Sequence, residues 1–382
     1  MTASQNVLIL TSDTGGGHRS AAHALETSLT LLDPGRVLVK VAQVLEESTL
    51  LTRKMADLYN YLLREHQDWV KYYYTAIQLL KPNESVLLFR SALGYGQCVL
   101  EKVCPSAIVS VHPMTQHFFA YVLKKLGLLG KIPFYTVVTD PCAGFWRGWA
   151  CEDVDLYYVA SDDARQQLMD YGIGSHKIRI AGMPVHRRFE PVSLDDRRAL
   201  RRALGLDPDT FTVFLNSGWV GGGNVPAIYE ALAQSSVQNI QAVFLAGKNE
   251  KLIQRGHEIA QTAPFATKVL GYSHEIENLM NASDVMVTKT GGLTTFEALA
   301  CNLPIIADAV TRPMPQEIQT GRFLTHTGTG VLLDNPSAIV SVVESLSNSP
   351  EQLGRMRKAA QHHAGAGASD RIAQHVINQL TF

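Results

Sequence analysis

Val7-Leu8-Ile9-Leu10-Thr11-Ser12-Asp13-Thr14-Gly15-Gly16-Gly17-His18-Arg19-Ser20-Ala21-Ala22 passes from an unbroken apolar run through three glycines into a helical pattern that continues to residue 32. A short apolar run without alternation is the mark of a strand buried on both faces, as in a parallel sheet. Glycines at its end let the backbone turn and approach a ligand closely. The helix behind them offers unpaired N–H groups and a positive dipole end to an anion. The spacing is neither G-x-G-x-x-G nor G-x-x-x-x-G-K-[ST], so neither NAD nor ATP is indicated. His18, at the helix start with an ordinary pKa of ~6.5, can take a proton from a hydroxyl at neutral pH. Taken alone, it also reads as a hydrogen-bonded turn histidine.

The same strand, turn and helix recurs outward from this point. Apolar runs at 107–111, 134–139 and 156–160 alternate with helical patterns, and the alternation resumes at 212–216, 242–246, 285–289 and 304–307. Two parallel α/β halves are the simplest architecture. Gly182-Met183-Pro184-Val185 and Pro191 punctuate the chain between them, placing a linker near 183–195. The expected domains are 1–188 and 189–360, with 361–382 a final helix that can pack back on the first half after the breaking turn at 364–368. Residues 48–102 interrupt the first half with helices carrying Tyr59, Tyr61, Trp69, Tyr72, Tyr73, Tyr74 and Phe89 among Arg53, Lys54, Arg64, Lys71, Lys81 and Arg90. Residue type alone favours a helical cap whose aromatics are its core. The same mixture suits a membrane interface.

Composition narrows the rest. In 382 residues, 46% are hydrophobic and 18% charged, so the chain folds, and 34 Lys and Arg against 35 Asp and Glu leave no basic field that would mark a nucleic-acid partner. The five cysteines include no Cys-x-x-Cys pair and fit reduced thiols. No apolar stretch approaches the ~20 residues of a membrane span, and no basic segment precedes the first strand, so a cytoplasmic location is expected. His112 and His117 lie five apart and do not share the i, i+4 face of a zinc pair, so no metal site is read there.

The second half carries its own turns. Asn216-Ser217-Gly218-Trp219-Val220-Gly221-Gly222-Gly223-Asn224 follows a strand and precedes a helix, again a backbone cradle for phosphate. Lys289-Thr290-Gly291-Gly292-Leu293-Thr294-Thr295-Phe296-Glu297 repeats the design with a carboxylate in the first helical turn. Glu297 there either grips vicinal ribose hydroxyls or complements the helix dipole. Pro315-Gln316-Glu317, expected on a loop, supplies an amide and a carboxylate suited to sugar hydroxyls. Cys142, Trp146, Trp149 and Cys151 form a loop read as a cleft wall or lipid-facing flap, with an ordinary packed loop as the alternative. Arg197, Arg198, Arg201 and Arg202 share their segment with Asp195 and Asp196 and read as a solvated helix.

Taken in order, Gly15-Gly16-Gly17-His18, the 221–223 glycine loop, Thr294-x-x-Glu297-Ala298 and Gln316-Glu317 resemble the inverting GT-B glycosyltransferases. That group includes the peptidoglycan lipid I N-acetylglucosaminyltransferase and the diacylglycerol glycosyltransferases. Asp13-Thr14-Gly15-Gly16-Gly17-His18-Arg19, Ser110-Val111-His112-Pro113-Met114-Thr115-Gln116-His117, Thr136-Val137-Val138-Thr139-Asp140 and Trp69-Val70-Lys71 are similar to the monogalactosyldiacylglycerol synthases and processive diacylglycerol glucosyltransferases.

The resemblance implies an α/β chain of GT-B type, two Rossmann-like domains facing each other across a cleft, with a lipid acceptor on the first and a UDP-sugar on the second. It implies UDP-galactose or UDP-glucose as donor, diacylglycerol or a related lipid as acceptor, an anionic membrane surface as peripheral partner, and no metal cofactor. Its candidates for the base are His18, then Asp13 and Asp140. Gly15, Gly16, Gly17, His112, His117 and Trp69 fall on the acceptor and diphosphate side. On the donor side it implies Gly221, Gly222, Gly223, Lys289, Gly291, Gly292, Thr294 and Thr295 around the diphosphate, and Glu297 on the ribose. Gly271 and Tyr272 lie in the segment that reads uracil, and Gln316 and Glu317 on the transferred sugar. Retaining relatives carry Glu eight positions before the ribose glutamate; here that position is Lys289, which favours inversion. Pro315, Ile318-Gln319-Thr320 and Gly292-Leu293 depart from the galactolipid pattern around the sugar pocket, leaving donor choice open. A transferase for a soluble acceptor and an epimerase-like relative are the alternatives.

Overall fold

Residues 1–187 with 365–382 form one unit and residues 188–364 the other. The computed structural model describes residues 4–65, 67–218, 221–310, 313 and 315–380, and only the backbone at 63–65, 67, 68, 70, 71, 74 and 315. Trp219 and Val220 of the second glycine loop therefore lie outside the described residues. So do the side chains of Arg64, Val70, Lys71 and Tyr74 in the helical insertion.

The first unit is built on β1 (Gln5–Thr11), β2 (Val37–Gln43), β3 (Ala107–Ser110), β4 (Phe134–Val137), β5 (Leu156–Val159) and β6 (Ile178–Ile180). All neighbours pair in parallel, in the order β2-β1-β3-β4-β5-β6. Val7 to Leu10 have no solvent exposure, because helices cover both faces of a parallel sheet. The helix Gly16–Leu32 turns Ala21, Ala22, Ala24, Leu25 and Leu29 inward, small side chains alternating with large so that the helix sits close to the strands. Against it lies the final helix Ala368–Asn378, whose Asp370 Oδ1 accepts the Ser28 hydroxyl at 2.7 Å and which buries Ile372, Ala373, Val376 and Ile377. Gly365 and Gly367 take positive φ in the turn before it. The segment 48–102 carries the helices Leu50–Glu65, Gln67–Leu80 and Val86–Val103.

The second unit is built on β7 (Phe211–Asn216), β8 (Ile240–Leu245), β9 (Thr267–Leu270), β10 (Val285–Lys289), β11 (Ile305–Asp308) and β12 (Gly330–Leu333). Its parallel order is β12-β11-β10-β7-β8-β9. The helix Leu194–Ala203 is largely solvated, as its arginines suggest, except at Arg201 and beside it at Arg197. Arg201 is buried, donating from Nε to the Ala282 carbonyl at 2.7 Å and pairing with Asp284 Oδ2 at 2.7 Å. Arg197 and Arg357 share the other oxygen of Asp284, and the Thr212 N–H donates to Oδ2 at 2.8 Å. A buried carboxylate with four donors ties the helix to the start of the sheet.

Ile372→Ala should open a cavity beneath the final helix and lower the stability of that unit by about 2–4 kcal/mol. Denaturant unfolding followed by tryptophan emission checks this, because all four tryptophans except Trp219 lie in the first unit.

Candidate functional site

In each sheet the strand order reverses once, between β1 and β3 and between β7 and β10. Successive connections leave for opposite faces there, so the loops beyond the carboxyl ends of those strands border an uncovered crevice. The glycine turns occupy these positions.

In the first unit the loop after β1 leads through Gly15, whose φ is +71. Nothing stands within 4 Å of where its Cβ would be, so conformation rather than space demands glycine there. His18 follows in the first helical turn. Its Nδ1 lies 2.8 Å from the Val111 carbonyl and 2.9 Å from Thr139 Oγ1. A carbonyl can only accept, so Nδ1 carries the proton and Nε2 is left as the basic nitrogen. His112 has the opposite tautomer: its Nδ1 accepts the Met114 N–H at 3.1 Å, so its Nε2–H donates to Thr14 Oγ1 at 2.8 Å. The two rings meet edge-on, 4.6 Å apart. Enclosure by protein lowers the His18 pKa to about 4, against a small rise from the Val111 hydrogen bond. Burial and then the neighbouring His18 hold His112 well below the ordinary value. The ordinary imidazole pKa expected from sequence is thus corrected, and both rings are neutral at pH 7.

Of the other candidates, Asp13 Oδ1 pairs with Arg19 at 2.9 Å, and Asp140 Oδ2 accepts the Trp149 indole N–H at 2.7 Å. His117 donates from Nε2 to the Gly148 carbonyl at 2.8 Å. Gln116, fully buried, donates to the Gly148 and Trp149 carbonyls, both at 2.8 Å. Cys142, Trp146, Trp149 and Cys151 are buried, so their loop is packed and the lipid-facing reading of it falls. Trp69 is 62% exposed on the helix Gln67–Leu80. Two residues that sequence reasoning missed hold the loop itself. Glu46 Oε1 accepts the Ser12 hydroxyl and the Asp13 N–H, and Asn60 bridges Asp13 and Gly15.

In the second unit the glycine loop is first a packing solution. A Cβ on Gly221 would collide with the Ala246 carbonyl and one on Gly223 with the Lys289 stem, and both glycines have positive φ. The Gly221 and Gly222 N–H groups donate to the Gly218 and Ser217 carbonyls. Asp308, also missed from sequence, accepts the Asn224 N–H at 3.1 Å and its side-chain amide at 3.0 Å. Lys289 is enclosed beside Gly223. Burial lowers its pKa, and the nearby Glu317 and Asp308 carboxylates oppose that. The helix Gly292–Ala300 begins with no side-chain cap after Gly291 and no acid in its first turn, so the N–H groups of Gly292, Leu293 and Thr294 face outward at the positive end of the dipole.

Glu297 lies in the second turn of that helix, not the first, and dipole complementation does not explain it. It is 7% exposed, and among the described residues no donor is hydrogen-bonded to its carboxylate. Burial raises its pKa to about 7, with Arg188 lowering it and Glu277 raising it further. Thr295 Oγ1 beside it is buried without a partner. Gln316 and Glu317 are not on a loop; they occupy the first turn of the helix Pro315–Thr327, begun by a proline at its first position. Gly271 and Tyr272 follow the edge strand β9, with Lys248 Nζ 5.2 Å from the Tyr272 ring centre. Among the described residues no three His, Cys, Asp or Glu side chains are gathered as a metal site.

Residues 18–185 match the family described as monogalactosyldiacylglycerol (MGDG) synthase, and residues 197–363 match glycosyl transferases group 1. The processive diacylglycerol beta-glucosyltransferase of Bacillus licheniformis is 28% identical over 99% of this chain and 96% of its own length. Monogalactosyldiacylglycerol synthase 3 of Arabidopsis thaliana is 30% identical over 93% of this chain and 77% of its own. The synthase of Spinacia oleracea is 30% identical over 98% and 72%. Among solved structures, MurG of Acinetobacter baumannii aligns with a TM-score of 0.68 at 14% identity, covering 98% of this chain and 100% of that one. HepE of Anabaena, solved with UDP-glucose, aligns at 0.60 and 14%, covering 98% and 100%. These neighbours carry the GT-B fold, as expected from the sequence.

Between the ordinary carboxyl pKa of 4.5 and about 7 the folded chain keeps a proton on Glu297 that the unfolded chain has lost. Stability contributed here therefore falls as pH rises through that window. Glu297→Gln should gain in melting temperature relative to the unsubstituted chain between pH 4.5 and pH 8. A difference that stays flat across calorimetric scans in that range would contradict the assignment.

Proposed function

The chain belongs to the monogalactosyldiacylglycerol synthase family, and from that premise we propose that it transfers a hexose from UDP-glucose or UDP-galactose to the free hydroxyl of diacylglycerol, with inversion. His18 carries the reading: a neutral imidazole with Nδ1–H anchored on a backbone carbonyl and Nε2 left basic at a sheet crevice. As the acceptor oxygen forms its bond to the sugar C1, Nε2 takes the hydroxyl proton and the C1–oxygen bond to the diphosphate breaks. The departing UDP places its charge on the free N–H groups at Gly292–Thr294 and near the Lys289 ammonium. Glu297, a buried carboxylate with no hydrogen-bond donor among the described residues, receives the ribose diol. Gln316 and Glu317 select among sugar hydroxyls, and the backbone at 270–272 reads uracil. A base with a pKa near 4 is weak in the resting site. Negative charge developing on the diphosphate favours the imidazolium as the proton moves.

The acceptor also names a partner. Diacylglycerol stays in the bilayer, so the enzyme works at its surface. Ten of the eighteen large hydrophobic side chains exposed among the described residues fall between Leu50 and Leu87, including Leu50, Trp69, Leu79, Leu80 and Leu87. Exposed Arg53, Lys54, Lys81 and Arg90 accompany them. Exposed apolar side chains interspersed with cations along one segment suit an anionic lipid surface. No helix among the described residues is long and apolar enough to cross a membrane.

Liposomes containing diacylglycerol, incubated with labelled UDP-glucose or UDP-galactose, should acquire label in lipid, and His18→Ala should cut the rate by roughly 10²- to 10⁴-fold. UDP binding with no label in lipid from either donor would redirect the reading to a soluble acceptor. Two acid limbs are expected, separated by which substrate is varied. With donor saturating, kcat/KM for the acceptor should hold well below pH 6.5, because His18 titrates near 4. KM for the UDP-sugar should rise as pH falls below about 7, where Glu297 protonates, and this limb should vanish in Glu297→Gln. Leu79→Ser with Leu80→Ser should weaken sedimentation with phosphatidylglycerol vesicles by on the order of 10-fold or more, since each buried leucine contributes about 2 kcal/mol.

A further inference from the structure

The helix Leu50–Glu65 has two loyalties. Leu50, Leu51, Leu58 and Tyr61 are exposed, while Thr52 and Ala56 are buried and Asn60 is half-buried. Asn60 reaches the loop that precedes His18: its Nδ2 donates to the Asp13 carbonyl at 2.6 Å, and its Oδ1 accepts the Gly15 N–H at 3.2 Å. A second tie runs through the short helix Val44–Ser48. Arg53 Nε donates to the Glu46 carbonyl at 2.8 Å, and Glu46 Oε1 accepts the Ser12 hydroxyl at 2.7 Å and the Asp13 N–H at 2.9 Å. Within the loop, Asp13 also pairs with Arg19 and Thr14 accepts from His112, while among the described residues Asn60 alone ties both sides of the turn to the helix Leu50–Glu65. Gly15 sits at φ +71 with open space where a side chain would be, so hydrogen bonds rather than packing set its course. The helix bearing His18 starts at the next residue.

We propose that Asn60 is a positioning residue for the transfer reaction. Through it, the insertion fixes the Asp13–Gly15 turn, and with it the placement of His18, when its outer side settles on lipid. The trigger rests on the membrane reading above; the two hydrogen bonds do not. Asn60 touches neither reacting group, so its loss should act on turnover rather than on donor binding, whose residues lie in the other unit. A displacement of about 1 Å at a reacting group is enough to cost ~100-fold.

The test pairs kinetics with hydrogen exchange on the full chain, using vesicles of phosphatidylcholine, phosphatidylglycerol and diacylglycerol. In the unsubstituted protein, vesicles should slow exchange in both the 50–80 and the 11–20 segments. Asn60→Ala should keep vesicle sedimentation and protection at 50–80, lose the added protection at 11–20, and drop kcat by on the order of 10- to 100-fold with KM for the UDP-sugar within about 2-fold. Asn60→Asp, nearly the same shape, keeps the acceptor for the Gly15 N–H and loses the donor to the Asp13 carbonyl; it should give the same signature more weakly and carries the test if Asn60→Ala does not fold. Protection at 50–80 without any at 11–20 in the unsubstituted protein would overturn the inference and leave the membrane reading standing. So would an Asn60→Ala enzyme with full kcat, or one changed only in donor KM. Absence of sedimentation and of protection at 50–80 would overturn both.

Discussion

A parallel sheet can offer backbone to a ligand at one edge only, the carboxyl ends of its strands, and only where the strand order reverses is that edge left uncovered. Both units obey this constraint, and their chemistry is confined by it. Every N-terminal candidate that the structure brings together stands on the loops after β1 and β3 or is hydrogen-bonded to them: Thr14, His18 and His112. In the second unit the loops after β7 and β10 carry Asn224, Lys289 and the open helix start at Gly292. Asp308, one strand further out, fastens the glycine loop to them.

Burial then decides the protonation states. Two imidazoles 4.6 Å apart cannot both be charged in an enclosed site, and here neither is. What keeps them useful is the fixed pattern of tautomers. The Val111 carbonyl claims the Nδ1 proton of His18, while the Met114 N–H claims Nδ1 of His112 and turns its proton toward Thr14. Glu297 faces the same cost of burial with the opposite consequence: a carboxyl pushed up to about 7, with no donor among the described residues. In the proposed reaction, the ribose diol supplies the donors that its ionised form needs, so donor binding and deprotonation of Glu297 reinforce one another.

The residues made this fold legible where physics made the signal strong. The eight interior strands, β1, β3, β4, β5, β7, β8, β10 and β11, are apolar on both faces and stand out as unbroken runs. The four strands not read from sequence, β2, β6, β9 and β12, are the four sheet edges. An edge strand needs only one covered side, and β2 shows it, with Leu38 and Lys40 exposed. Glycine was an ambiguous sign. Gly15 is required by its φ alone, whereas Gly221 and Gly223 combine a positive φ with neighbours that leave no room for a Cβ, and the residue type cannot say which. Glu46, Asn60 and Asp308 carry no local signature, because their roles arise from hydrogen bonds across 33, 47 and 84 positions of sequence.

The insertion at 48–102 joins the two halves of the physical account. Exposing Leu79, Leu80 and Leu87 to water has a cost that an enzyme for a soluble acceptor would have no reason to carry. A transferase with a soluble donor and a membrane-bound acceptor has a second difficulty, since water can take the acceptor's place whenever the base is in position and no lipid is present. On the proposed reading, a turn held by the inner side of the helix Leu50–Glu65, whose outer side exposes Leu50, Leu51 and Leu58, answers both difficulties with one element. The catalytic geometry is, on that reading, most sharply defined at the surface that holds the acceptor, and the helix offered to the lipid is the one that holds the turn before His18.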